Sequence, residues 1–207
     1  MRLDENCPDI KGYRVRSLYF DSTHDECLYQ KQSGFKERSK IRLRTYGNSD
    51  QAVKFEIKNK NGQLVNKESV TIDRQYAEDI CAGNYNLLLK HKHPLLDRIY
   101  GIFMSGAYKP KVIVEYKRTA FVLPVSNVRI TFDQDLHSNI NHLDLFSNVK
   151  DTVPIALEGK QILEVKYDQF VPGYIRKMLS GMSTERMAIS KYTLARRFHK
   201  IQKWEDN

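Results

Sequence analysis

The 207-residue chain is 41% hydrophobic and 29% charged, proportions that exclude a disordered polymer and allow one large domain with a packed core. Thirty-four Lys and Arg against 25 Asp and Glu leave a formal charge of +9, which favours a polyanionic partner such as nucleic acid, acidic lipid or a phosphate chain. Three scattered cysteines without CxxC spacing argue against a disulfide framework or a zinc site, and no apolar run approaches a membrane span, so a cytoplasmic protein is expected.

In chain order, Tyr13–Phe20 reads as a strand rich in β-formers, and Asp25–Lys36 as a short helix or loop. Lys40–Tyr46 and Val53–Lys60 then form a charged hairpin about Gly47-Asn48-Ser49-Asp50. With period 2, Ile41, Leu43 and Thr45 share one face of the first arm, and Lys40, Arg42, Arg44 and Tyr46 the other. The second arm sets Val53, Phe55 and Ile57 against Lys54, Glu56, Lys58 and Lys60. Asn61-Gly62 signals a tight turn into a further strand at Lys67–Ile72. Helical spacing follows at Tyr76–Gly83 and Pro94–Ser105, where Pro94 suits a first turn. Strands resume at Lys111–Phe121 and Asn127–Asp133, a polar loop is expected from Asp135 to Val153, and Gln161–Asp168 is a last strand. Pro172–Leu179 and Thr193–Trp204 read as amphipathic helices.

Almost every polar strand position is charged, and most are cationic. Like charges facing one another across a hairpin repel unless an anion lies between them. A flat sheet would turn these faces to water; a sheet curled into a barrel, with helices over its apolar outside, would turn them inward. Arginine binds phosphate bidentately and lysine acts as a point charge, so such a bore suits a chain of phosphates. The expected class is therefore α+β. It comprises an antiparallel β-barrel with flanking helices in a single domain over residues 1–207, with strands at about 13–72 and 111–168 and helices at about 76–106 and 172–204.

The strings Tyr13-Arg-Val-Arg-Ser-Leu-Tyr-Phe-Asp21, Lys40-Ile-Arg-Leu-Arg-Thr-Tyr46, Phe55-Glu-Ile-Lys58, Tyr116-Lys-Arg-Thr-Ala-Phe121, Val128-Arg-Ile-Thr-Phe-Asp133, Ile162-Leu-Glu-Val-Lys-Tyr167 and Ser190-Lys-Tyr192 together resemble the VTC domain. That family makes polyphosphate and belongs to the CYTH-like triphosphate tunnel metalloenzymes. The resemblance implies an eight-stranded tunnel in which ATP gives its γ-phosphate to a growing polyphosphate, with Mg²⁺ or Mn²⁺ as cofactor. It implies that Lys58, Arg118, Lys166 and Lys191 act at the reacting phosphates, and that Arg42, Arg44 and Arg129 bind triphosphate or product. Arg16 and Lys67 join the phosphate-binding set by strand phase. Glu164 is the expected metal ligand, with Glu56 and Asp133 as further candidates.

Family members begin with a charged strand and a helix ahead of the segment matching Tyr13, and Met1–Lys11 reads as no such strand. Either a shortened version of a longer product or a tunnel open along one edge is expected, with weak or absent activity but retained phosphate binding in this form. Two other functions fit the same residues: hydrolysis of tripolyphosphate or a nucleoside triphosphate, and non-catalytic sensing of polyphosphate. Nucleic acid is not expected, because the cations converge inward and no stacking platform of exposed aromatics is evident. The basic run Arg196, Arg197, His199 and Lys200 reads either as a solvated helix face or as contact with a membrane-protein partner or second subunit. Composition leaves the oligomeric state open.

Overall fold

Strict alternation of apolar and charged residues builds one antiparallel sheet. The computed structural model describes residues 1–47, 49–147, 152–155 and 159–205; Asn48 of the expected turn and part of the expected 135–153 loop lie outside them. The strands are β1 (Arg2–Leu3), β2 (Tyr13–Asp21), β3 (Glu37–Tyr46), β4 (Ser49–Asn61), β5 (Leu64–Asp73), β6 (Lys109–Leu123), β7 (Val128–Asn139), β8 (Val153–Pro154) and β9 (Ile162–Lys166). Their order is β5-β4-β3-β2-β6-β7, with β8 and β9 both on β7 and β1 beside the end of β6. The helices are α1 (Glu26–Gln32), α2 (Arg74–Cys81), α3 (Pro94–Gly106), α4 (Gly173–Ser180) and α5 (Lys191–Glu205). This is the expected α+β class. The barrel, however, is not closed by hydrogen bonds: among the described residues β5 pairs only with β4, and β9 only with β7.

The apolar phase faces outward into the helices. Phe20 and Phe55 lie 6.1 Å apart by ring centroid, and Phe103 of α3 packs on them at 5.0 and 6.2 Å. Buried Ile41, Leu43, Ile57, Leu96 and Ile99 extend that core. Truncating Phe103 to Ala would cost about 3–5 kcal/mol, the usual range for a buried aromatic. On the other half of the sheet, Ile175 and Leu179 of α4 cover Val128, Ile130, Phe132, Leu163 and Val165.

Local chemistry shifts several boundaries. The β4–β5 turn is centred one residue later than expected, on Gly62-Gln63, because Asn61 pairs with Leu64 and Gly62 takes the positive φ of 57°. Strand β7 does not stop at Asp133. Asp135 adopts φ 51° at a register shift, a bulge that lets the strand run on to Asn139. The first twelve residues are not strand-free either, since Arg2 and Leu3 pair with Val122 and Phe121. Gly12 then brings the chain back against β6, where a Cβ would lie 2.4 Å from the Arg118 carbonyl oxygen.

The tail departs most from expectation. Of the two tail helices, α4 covers the outer apolar face. Tyr192 of α5 packs on Tyr19 at 5.2 Å and donates its hydroxyl proton to buried Asp21, so α5 enters on the charged side of the sheet. Two members of the basic run on α5, Arg196 and His199, are engaged within the fold, while Arg197 is exposed. Arg196 pairs with Asp25 at 2.6 Å, Asp25 also holds Lys111 at 2.8 Å, and His199 meets Ser138 at 2.8 Å.

Candidate functional site

Residues directly opposite in an antiparallel pair project to the same face. The register therefore assigns the charged face without reference to function. Arg42 stands between Tyr19 and Glu56, Arg44 between Ser17 and Lys54, and Lys58 between Lys40 and Lys67. Across β6 the same face carries Tyr116 and Arg118, which continue to Asp133 on β7; Arg129 and Thr131 then face Lys166 and Glu164 on β9.

This face is concave. Lys58 on β4 and Lys166 on β9 are five strand steps apart, roughly 24 Å in a flat sheet. Yet the Lys58 ammonium is held below its ordinary pKa by desolvation and then by the charges of Lys166 and Arg42, with Glu164 opposing. Adjacent residues at the start of α5, Ser190 just before it and Lys191 its first, also bridge distant strands. Lys40 of β3 donates to Ser190 Oγ at 2.6 Å, while the next residue, Lys191, reaches Asp133 of β7 at 2.6 Å.

Two carboxylates organise the cations. Glu56, only 2% exposed, accepts from Arg42 Nε at 2.6 Å, pairs with Lys67 and lies 4.0 Å from Arg44. Burial alone would raise its pKa; Arg42, Arg44 and Lys67 outweigh burial and hold it at about 2. Fully buried Asp133 takes Arg118 bidentately at 2.6 and 2.8 Å and Lys191 on the same carboxylate. Its pKa is likewise lowered, burial being outweighed by the Arg118 hydrogen bonds and the Lys191 charge. At the rim, Arg129 Nε donates to Asp4 at 2.9 Å.

Tyrosines link these groups. Arg42 donates to the Tyr19 hydroxyl at 2.9 Å, and Lys191 sits 4.9 Å above the Tyr116 ring. Burial would raise the Tyr19 pKa, but Arg42, Arg44 and Lys40 bring it down to about 8. Lys40 is lowered to about 8, first by burial and then by neighbouring Lys31 and Lys58. Tyr19, Tyr116, Lys40, Ser190 and Asp4 were not among the sequence-derived site residues. Phase alone would have put the tyrosines there, but charge drew the assignment to arginines.

Arg16 is the exception among the expected cations. It stands opposite Thr45, on the face of Ile41 and Leu43, and is 4% exposed. Its guanidinium pairs with Glu115 at 3.0 Å and donates to the Asp144 carbonyl at 3.0 Å, on the far side of the sheet from Arg42 and Arg44. Lys58, Lys67, Arg42, Arg44, Arg118, Arg129, Lys166 and Lys191 all lie on the concave side with Glu56, Asp133 and Glu164.

Among the described residues no group of three or more His, Cys, Asp and Glu is placed to hold a metal ion. Glu56 and Asp133 have their oxygens engaged by cations, which fits neither to a metal. Glu164 differs: its side chain is 45% exposed, with Lys166 at 3.7 Å. Directly across the strand pair, Thr131 Oγ1 is buried without a hydrogen-bond partner among the described residues. One open carboxylate beside an orphan hydroxyl fits a hard divalent cation that keeps most of its ligands as water and phosphate oxygen.

The sequence matches the VTC domain over residues 1–199. The chain belongs to the VTC-domain family. A solved structure also shares its fold. A candidate adenylyl cyclase from Hippeastrum, with a dominant triphosphatase activity, matches with a TM-score of 0.56 at 17% identity over 90% of this chain and 83% of that one. A candidate adenylate cyclase from Bacillus halodurans gives 0.49 at 15% identity, over 87% and 80%. No curated protein sequence matches this VTC domain significantly.

Proposed function

We propose that this VTC domain binds the phosphate chain of a nucleoside triphosphate or polyphosphate along its concave face. There it transfers the γ-phosphate of ATP to a growing polyphosphate. One observation carries the reading: Arg42, Arg44, Arg118 and Lys191, from β3, β6 and α5, converge on one face with Lys58 and Lys166 across the opening of the sheet. Little covalent chemistry is asked of the protein in phosphoryl transfer, so positioning and charge neutralisation supply most of the catalysis.

In this mechanism Arg42 and Arg44 hold one end of the triphosphate, and Arg118, oriented by Asp133, grips the next phosphates. Lys191 and Lys58 neutralise charge that develops on the leaving oxygen. Arg129 and Lys166 hold the acceptor end at the rim. Glu164, with Thr131 beside it, would hold Mg²⁺ or Mn²⁺, which when bound supplies further neutralisation of phosphate oxygens. Desolvation by the curled sheet and α5 strengthens each of these contacts.

Incubating the purified chain with ATP and Mn²⁺ or Mg²⁺ tests the proposal. Polyphosphate chains that disappear with Arg42→Ala or Lys191→Ala are the expected product. Hydrolysis is the second reading, favoured by the dominant triphosphatase activity of the Hippeastrum neighbour. Release of orthophosphate from tripolyphosphate without chain growth would establish it instead.

A further inference from the structure

The cations that would grip phosphate are already engaged. Arg42 and Lys67 are on Glu56, Arg118 and Lys191 are on Asp133, and Arg129 is on Asp4. Each carboxylate belongs to a different stretch of chain, and each sits on the concave side among the groups assigned to phosphate. Both oxygens of Glu56 and Asp133 are taken by guanidinium and ammonium donors, and Asp4 has one oxygen on Arg129 and the other on the backbone and side-chain amides of Asn6.

A site built for anions gains nothing in raw affinity from carboxylates at its cations. Two consequences do follow from their presence. Without substrate, they offset repulsion that the concave face would otherwise carry, as the direct pairing of Lys40, Lys58 and Lys67 illustrates. With substrate, they contend for the same donors. We infer that Asp4, Glu56 and Asp133 are internal counter-anions that compete with the substrate's phosphates, keeping a bound phosphate chain loosely enough held to advance or leave. This rests on the phosphate-binding reading of the concave face.

Competition of this kind also selects for length. A single orthophosphate meets one neutralised pair and displaces little, whereas a contiguous chain engages several pairs at once and adds their contributions. The ligand class is therefore linear polyphosphate and triphosphate esters over orthophosphate.

Substitution separates counter-anions from ordinary structural ion pairs, because the two roles predict opposite signs for binding. Tripolyphosphate is titrated calorimetrically into wild type, Glu56→Gln and Asp4→Asn at one fixed ionic strength, with melting temperatures recorded without ligand. Glu78→Gln serves as control, since it removes one negative charge from a surface pair on α2 with Arg74. Both site variants should melt lower than wild type yet bind tripolyphosphate about tenfold more tightly, the scale of one charge-assisted contact. The control should leave affinity within about twofold. Asp4→Asn keeps the test intact if Glu56→Gln does not fold, because Asp4 lies at the rim, outside the aromatic core. Unchanged or weaker binding in the folded site variants would overturn the inference while leaving the phosphate site standing. So would equal tightening in Glu78→Gln, which would reduce the effect to net charge. Failure of wild type itself to bind tripolyphosphate would instead remove the site reading, and this inference with it.

Discussion

The Lys191 ammonium lies 2.6 Å from Oδ2 of Asp133, the carboxylate that Arg118 grips bidentately from β6. One pair thus ties the first residue of α5 to β7, and a cation supplied by the tail becomes part of the concave face. Asp133 stays neutralised by Arg118 when Lys191 is removed, so Lys191→Ala should fold. It should weaken tripolyphosphate binding about 10- to 100-fold, the worth of one charge-assisted contact. Calorimetric titration checks this; binding within twofold of wild type would place Lys191 outside the phosphate site.

Tyr192 fixes that helix. Its hydroxyl donates to Asp21, whose carboxylate also accepts from the Cys27 and Leu28 amides of α1. Tyr192→Phe leaves a buried carboxylate one donor short and should cost about 1–3 kcal/mol. Amide hydrogen exchange should rise in α5 before it rises in the β2–β3 core. Uniform protection in both would contradict the anchoring role.

The Glu56 carboxyl is held at about 2, below its ordinary 4.5, so its ion pairs contribute stability above the ordinary value. That contribution is lost as pH falls from about 4.5 toward 2 and amounts to about 3 kcal/mol. Acid melts of wild type and Glu56→Gln should converge over this window. Parallel curves would show that Glu56 is not held down.

Burial and then the charges of Lys31 and Lys58 lower Lys40 to about 8, while at Tyr19 burial is outweighed by Arg42, Arg44 and Lys40, which bring it down to about 8. For Lys40, burial costs stability at neutral pH, a cost relieved as pH rises from about 8 toward 10.5. A bound polyanion shifts both groups the same way, since it favours the charged amine and the neutral phenol. At pH about 8, tripolyphosphate binding should therefore take up protons. Titrations in two buffers of different ionisation enthalpy measure this; proton release would contradict the placement of phosphate beside these groups.

Among the described residues Glu164 pairs with Lys166, 3.7 Å away, and both side chains are exposed. Glu164→Gln should leave the melting temperature within about a degree, as exposed pairs contribute little. Tripolyphosphate binding without metal should be unchanged, while the stimulation of binding by Mn²⁺ should be lost. Retained stimulation would move the metal elsewhere.

The charged hairpin was legible because its alternation holds from Lys40 to Arg44 and from Lys54 to Lys58, the register shifting only between Arg44 and Tyr46: Arg42 and Glu56, and Lys40 and Lys58, fall opposite as alternation requires. The apolar outer face of β7 and β9 was legible for the same reason. Arg16 was not, since β2 carries cations on one phase and Ser17 and Tyr19 on the other, and only the register with β3 says which phase is concave. The Asp4–Arg129 contact spans 125 positions and leaves no local pattern. The bulge at Asp135 depends on a backbone conformation that composition does not specify, so β7 read short. Helix α5 was recognised as a helix, but its amphipathic pattern does not distinguish an outer wall from the mouth of a bore.

A crystal structure of the chain grown with tripolyphosphate tests the central claim most directly. Phosphates lodged between Arg42, Arg118 and Lys191, inside the curl of the sheet, are the predicted result. Phosphates bound only on the outer surface, near Arg16 or on α2 and α3, with the concave face empty, would contradict it.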